Sequence, residues 1–156
     1  MAENMYKKYT EGKTREWDVV ASRLPVSTDP VPAGTLIKHV VSGEIGVTLT
    51  ASGNSTRSAG IPGVTGGTVP NPGVGNKSNG AVVATDGTWL FEVAGVDDGD
   101  TTLPSGATGR GTPSGTAVYQ HNTSGDLTLT STSATKVGVI DDGVIVDGVA
   151  PVLIGV

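Results

Sequence analysis

Glycine and proline interrupt this chain so often that they leave little room for a helix. The 156 residues include 24 glycines and nine prolines, and both residue types mark turns and break helices. Between them lie short runs rich in Val, Ile and Thr, which favour β-strands. No stretch of the sequence carries a helical stripe of apolar residues. The sequence therefore predicts an all-β domain of roughly eight to ten short antiparallel strands, arranged as a small barrel or a sandwich.

Asp-Gly pairs between β-rich runs predict specific turns. Both residues tolerate a positive φ, which is what a tight hairpin turn requires. Residues 81–84 and 88–93 are therefore expected to pair as a hairpin across Asp86-Gly87. Further turns are expected at Asp142-Gly143 and at Asp147-Gly148.

Residues 32–50 and 113–130 form a weak internal repeat. Each copy starts with Pro-x-Gly-Thr, carries a His shortly before a Ser-Gly turn and ends in Thr-Leu-Thr, with spacing that differs by one residue. Two pseudo-equivalent hairpins of one barrel or sandwich would explain the pattern, and convergence in a Gly/Thr-rich sequence is the alternative. In the first copy, apolar and polar residues alternate, which predicts a strand with Ile45, Val47 and Leu49 on one face.

Two Gly-rich stretches, residues 51–79 and 95–115, are predicted to be irregular loops of a single β domain that spans residues 24–156. Loops of this length in a compact domain are uncommon and usually functional or disordered. We expect residues 51–79 to run over the surface or across a neighbouring subunit.

Residues 1–23 differ from the rest of the chain and are predicted to form an N-terminal arm, extended in part. They contain two of the three Tyr, one of the two Trp and five of the ten basic residues. Aromatic and Arg side chains anchor protein interfaces, and an extended segment can add a strand to a partner's sheet edge. The alternative is an ordinary first strand, with Trp17 in the core. The candidate partner-binding residues are Tyr6, Lys7, Lys8, Tyr9, Arg15 and Trp17.

The charge distribution argues against several classes of partner. From Leu24 onward the chain has five basic and eleven acidic residues, whereas nucleic-acid binding needs a cationic surface. The N-terminus has no apolar segment of the kind found in secretory signals, and no apolar run reaches the length of a membrane helix. We therefore expect neither a nucleic-acid partner nor a membrane partner.

No arrangement of residues predicts catalysis, a metal site or a cofactor. The chain has no cysteine, so thiolate metal sites and disulfides are excluded. His39 and His121 are expected to be solvent-facing strand residues. The acidic stretches 97–100 and 141–143 lack the spacing of oxygen ligands in a calcium loop, so Asp-Gly turns explain them better.

Four segments together resemble the small β-rich head decoration proteins of tailed phages. They are YTEGK at 9–13, GVTLT at 46–50, GTWLFEV at 87–93 and DGVIVDGVAPVLIG at 142–155. The resemblance implies a non-enzymatic protein, made in the host cytoplasm, that binds the outer capsid surface of the virion. It further implies homotrimers at three-fold or quasi-three-fold positions, with residues 1–23 docked onto the major capsid protein.

Two other functions fit an all-β chain of this composition. One is a different virion β domain, in a tail tube or a fibre tip. The other is a carbohydrate-binding module of the sandwich type, which usually presents several aromatic side chains on one face. Only Trp89, Phe91 and Tyr119 are available for such a face in the body of this chain.

Overall fold

The computed structural model describes residues 14–18, 32–39, 41–50, 54–57, 67–70 and 80–156. These residues form thirteen β-strands and no helix, so the all-β class is confirmed and the expected number of strands was too low. Within these ranges there is accordingly no helix that could span a membrane. In chain order the strands are β1 (Thr14–Asp18), β2 (Leu36–Lys38), β3 (Ile45–Thr48), β4 (Asn54–Arg57), β5 (Gly67–Pro70), β6 (Gly80–Ala84), β7 (Gly87–Ala94), β8 (Gly99–Asp100), β9 (Ala117–His121), β10 (Leu127–Thr128), β11 (Ala134–Ile140), β12 (Val144–Ile145) and β13 (Val149–Ile154).

Five strands close into a barrel in the order β10-β7-β13-β11-β9. All the pairs are antiparallel except β10 with β7, a short parallel pair that closes the ring. A closed barrel has no free strand edge. Side chains of alternate strand residues fill the interior, and Phe91, Val118, Ile140 and Val152 are completely buried there.

A second sheet of four antiparallel strands, in the order β1-β6-β3-β2, packs against the barrel and stays open. One face contributes Leu36, Val47 and Ala84 to the core of the barrel. The opposite face carries a separate small cluster, which consists of Trp17, Ile37, Ala81 and Val83. The open sheet is therefore apolar on both faces and has two edge strands, β1 and β2.

The hairpin predicted across Asp86-Gly87 is wrong, because β6 and β7 belong to different sheets. β6 pairs with β1 and β3, whereas β7 pairs with β13 and β10. Gly87 does adopt a positive φ of 96°, and the Trp89 indole N–H donates to the Asp86 carbonyl at 3.0 Å. A turn is therefore present at Asp86-Gly87 as predicted, but it connects the open sheet to the barrel instead of joining two paired strands.

The other two Asp-Gly turns had different outcomes. Val146 and Val149 exchange main-chain hydrogen bonds of 3.2 and 2.9 Å around Asp147-Gly148. The φ values of 51° and 74° at those two residues are those of a type I′ turn, so this prediction is confirmed. After Asp142-Gly143, in contrast, β12 pairs with β8 and not with the preceding strand.

Two predictions about the first half of the chain need correction. Ile45 and Val47 do contact the barrel core, but β3 ends at Thr48, which leaves Leu49 37% exposed. Within the stretch 51–79, predicted to be irregular, β4 pairs with β5. Neither strand shows an alternation of apolar and polar residues. Main-chain hydrogen bonds can pair two strands without such an alternation, so the sequence pattern did not predict β4 and β5.

The stretch 95–115 contains only the short strand β8, but hydrogen bonds tie it to the rest of the fold. The Thr101 N–H donates to the Gly143 carbonyl at 2.9 Å, and the Thr101 hydroxyl donates to the Asp141 carbonyl at 3.0 Å. The Thr112 N–H donates to the Asp97 carbonyl at 3.0 Å, which closes the loop on itself. The loop is therefore a defined lobe built beside β12.

Candidate functional site

Trp17, one of the predicted partner-binding residues, lies in the core of the protein. It is 5% exposed and packs with Ile37, Ala81 and Val83. Gly46 leaves room for this cluster, because a Cβ at position 46 would lie 2.3 Å from Val83 Cγ1 and 3.1 Å from the Trp17 ring. His39 meets the indole edge-on, with 5.1 Å between ring centroids. The core alternative therefore holds for Trp17, and its side chain is not available to a partner.

Arg15 lies on the same strand but at the surface. Its guanidinium forms an ion pair with Glu44 at 3.2 Å, which links β1 to the turn between β2 and β3. Such an exposed pair contributes at most about 1 kcal/mol. The other predicted contact residues, Tyr6, Lys7, Lys8 and Tyr9, lie outside the described residues, and their role stays a prediction.

The outer edge of β1 carries main-chain groups that point away from the sheet. The Leu49 N–H donates to the Val82 carbonyl at 2.7 Å, so Val82 directs its main chain toward β3. Ala81 and Val83, its neighbours in β6, direct their N–H and C=O groups toward β1, where they face Trp17 and Arg15. By the same alternation, the N–H and C=O groups of Thr14, Glu16 and Asp18 point outward. No described strand pairs with this edge.

A shallow groove of about 370 Å³ opens beside the Arg15–Glu44 ion pair. Its lining combines apolar side chains from Ile45 and Val156 with polar groups from the link between β6 and β7. Gly155 brings the last residues close to this link, since a Cβ there would lie 2.9 Å from the Thr85 carbonyl oxygen. The groove therefore lies where the open sheet, the link and the end of β13 meet.

The two turns of the internal repeat have the same hydrogen-bonding pattern, which confirms that the two hairpins are structurally equivalent. In each turn the His N–H donates to the carbonyl five residues later, at 2.8 Å for His39 and 2.9 Å for His121. Each His carbonyl accepts the N–H of the turn glycine, Gly43 or Gly125, at 2.8 or 3.0 Å. These glycines have φ values of 72° and 79°.

The two His side chains are partly exposed, and His121 lies on β9 as expected, but both side chains also accept hydrogen bonds from the turns that follow them. His39 Nδ1 accepts the Ser42 N–H at 3.1 Å, and His121 Nδ1 accepts the Ser124 N–H at 3.3 Å. A ring nitrogen that accepts a hydrogen bond carries no proton, so the neutral rings hold their proton on Nε2. Both residues are half-buried.

The tips of these matched turns differ in chemistry. Val41 is 86% exposed at the tip of the first turn. Thr123 holds the equivalent position of the second turn, next to Asn122, and both are exposed. The sequence interpretation missed Val41, although aligning the two copies places Val-Val opposite Asn-Thr and would have singled it out.

The acidic stretches serve as turn caps. The Asp98 carboxylate accepts the Asp147 and Gly148 N–H groups, each at 2.9 Å. The Asp141 carboxylate accepts the Thr88 hydroxyl and, at 2.8 Å, the Asp142 N–H. The Thr102 hydroxyl and N–H both donate to Asp100, and these bonds lower its pKa. Among the described residues there is no group of three or more acidic or His residues that could hold a metal ion.

The aromatic residues of the body do not form an exposed binding face in the part of the chain that the structure describes. Trp89 and Phe91 are buried in the barrel core, and Tyr119 is half-buried on β9. Stacking on a sugar ring needs an accessible aromatic face, so this arrangement gives a carbohydrate-binding module no support.

Comparisons with protein-family models, with curated proteins and with solved structures found no match to this chain.

Proposed function

We propose that this chain is a non-enzymatic decoration protein that binds the outer surface of a phage head and stabilises contacts between major capsid subunits. The observation that carries the proposal is the outer edge of β1. Three outward main-chain positions, Thr14, Glu16 and Asp18, follow directly after the aromatic and basic residues of segment 1–13. A partner strand can pair with such an edge.

The rest of the molecule suits a role that depends on contact alone. Its barrel has no free edge, and the carboxylates of Asp98 and Asp141 cap turns of the protein itself. A protein of this kind needs modest contacts that are repeated over a symmetric lattice, where linked sites multiply the affinity. Trimers at three-fold or quasi-three-fold positions of the virion would provide that repetition.

Docking through the arm is tested by adding the purified chain to expanded, undecorated heads. The structure decides which deletion is informative: removing residues 1–23 would also remove β1 and the buried Trp17, and so disrupt the open sheet. Removing residues 1–12 leaves β1 intact. We expect saturable binding by the full chain and a loss of roughly tenfold or more in affinity after this deletion.

Glu16→Pro tests the strand edge itself. Proline lacks the N–H group that this position directs outward, and edge strands tolerate it there. The matched control is Glu16→Ala, which removes the same side chain but keeps the N–H group. We expect weaker head binding for Glu16→Pro and unchanged binding for the control, with both proteins folded by circular dichroism. Absence of binding by the full chain would refute the proposed function.

A further inference from the structure

The first turn of the repeat is held by a short series of hydrogen bonds that begins at the ring of His39. The Ser42 N–H donates to His39 Nδ1 at 3.1 Å, and the Ser42 hydroxyl accepts the Glu44 N–H at 3.3 Å. The Glu44 carboxylate forms the ion pair with Arg15 of β1 at 3.2 Å. The ring of His39 is therefore connected, through a single turn, to the edge strand of the open sheet.

The protonation state of His39 decides whether this series can form. The neutral ring carries its proton on Nε2, because Nδ1 accepts a hydrogen bond. A second proton from the solvent can therefore bind only at Nδ1, where it takes the lone pair that holds the Ser42 N–H. Two N–H groups then face each other, and the turn loses its cap. Histidine ordinarily takes up this proton at about pH 6.5.

We propose that protonation of His39 opens the first turn and loosens β1, so that the edge of the open sheet responds to acid. Two contacts connect the ring to β1. Glu44, which Ser42 holds in place, pairs with Arg15. The ring also meets Trp17 edge-on, with 5.1 Å between ring centroids, and Trp17 belongs to the small cluster of the open sheet.

The charged groups around His39 do not replace the lost hydrogen bond. In the part of the chain that the structure describes, they are Lys38 before the ring, Glu44 in the turn, Arg15 on β1, and Asp86, which lines the same groove as that ion pair. A protonated ring is repelled by Lys38 and Arg15 and attracted by Glu44. A new bond to Glu44 competes with the Arg15 pair, so it also weakens the link between the turn and β1.

The second turn has the same series of hydrogen bonds but lies in the closed barrel. The Ser124 N–H donates to His121 Nδ1, and the Ser124 hydroxyl accepts the Asp126 N–H, both at 3.3 Å. The charged groups here are Asp126 in the turn and Lys136 on β11, the strand that pairs with His121. Because β9 is paired on both sides, with β10 and β11, opening of this turn stays local.

The test is amide hydrogen exchange of the full chain by NMR, at about pH 7.5 and about pH 5.5, on either side of the ordinary histidine value. After correction for the intrinsic rates, we expect Ser42, Arg15 and Trp17 to lose protection by roughly fivefold or more in acid, the factor that corresponds to one lost hydrogen bond. Ser124 should also lose protection, whereas the strands β9 and β11 should keep theirs. Unchanged protection of Arg15 and Trp17 would overturn the proposal.

His39→Asn is the matched control. The Asn side-chain oxygen can accept the Ser42 N–H from nearly the position of Nδ1, and it does not titrate in this range. We expect β1 to keep its protection in acid in this variant, and to lose it in His121→Asn as in the wild type. An acid response of β1 that persists in His39→Asn, or that disappears in His121→Asn, would contradict the proposal. No heads are present, so these results leave the proposed capsid binding untouched.

Discussion

The first and second hairpins of the repeat share their local structure but differ in what surrounds them. The second lies in the barrel, where β9 pairs with β10 on one side and with β11 on the other. The first lies in the open sheet, where β2 pairs only with β3 among the described strands. The same type of turn therefore connects two strands of the closed barrel in the second copy and two strands of the open sheet in the first.

The starts of the two copies show where they diverge. Gly34 donates its N–H to Thr48 at 2.6 Å, within its own hairpin, whereas Gly115 donates to Ile140 of β11 at 2.7 Å. Both threonines that follow bond back to the proline carbonyl, at 2.8 Å for Thr35 and 2.7 Å for Thr116. Local sequence sets the conformation of the Pro-x-Gly-Thr segment in each copy. In the second copy, the hydrogen bond of the glycine is made to β11 and not within the hairpin.

The largest expected difference between the two regions concerns their cores. Phe91→Ala in the barrel should cost about 3–5 kcal/mol of global stability. Trp17→Ala removes the largest side chain of the small cluster, and we expect it to loosen the edge strands of the open sheet while the barrel core stays folded. Amide hydrogen exchange should then show lost protection in β1 and β2 with β11 and β13 retained. Equal loss across both regions would contradict the distinction.

A smaller effect is expected from filling the space under Trp17. Gly46→Ala would press a methyl group against Val83 and the Trp17 ring, and should cost about 1–3 kcal/mol in urea unfolding. Adding Val83→Ala should recover part of this loss, because it removes the Val83 methyl group that lies nearest to the new Cβ. If Gly46→Ala were as stable as the wild type, Val83 and Trp17 could not lie against position 46 as described.

The turn caps allow a direct comparison of the two copies. His39→Ala and His121→Ala each remove a ring nitrogen that accepts main-chain N–H groups, which should cost about 1 kcal/mol. The loss should be larger at His39, because its ring also contacts Trp17. Thermal unfolding of the two variants measures the difference, and an equal or larger loss at His121 would speak against a stabilising contact between His39 and Trp17.

The smallest effect concerns acid stability in the second turn. The Ser124 hydroxyl bonds to the Asp126 carboxylate and lowers its pKa. A carboxyl whose pKa is lower in the folded state adds stability above its unfolded pKa, and this stability is lost as the pH falls through the folded pKa. Ser124→Ala should therefore raise the pKa of Asp126 in an NMR titration. An unchanged titration would show that the hydroxyl bond is unimportant.

Sequence patterns predicted the class of fold and several turns well, since these depend on local chemistry. The Asp147-Gly148 turn and the repeat both follow from residues that tolerate positive φ. The partners of β6 and β7 were predicted wrongly, because an Asp-Gly pair indicates a turn and does not say which strands will pair. Turn chemistry is local, whereas the partners of a strand are decided by distant segments such as β13.

The candidate site was less predictable for the same reason. Trp17 looked like a contact residue because it lies near a terminus, but the space beneath it depends on Gly46, which is distant in sequence. The roles of His39 and His121 depend on the bend of the turn that follows each of them. In the sequence, Val41 differs from the matching Thr123 of the second copy, but only the structure shows that its side chain is exposed.

In the proposed function, the outer edge of β1 makes the contacts with the head, while the barrel serves as a scaffold. Hydrogen exchange of the chain, free and bound to expanded heads, tests this division most directly, because the barrel hairpin acts as an internal control. We predict slower exchange on binding for residues 14–18, with residues 117–128 unchanged. Protection confined to the barrel hairpin, or equal in that hairpin and in β1, would contradict the proposal.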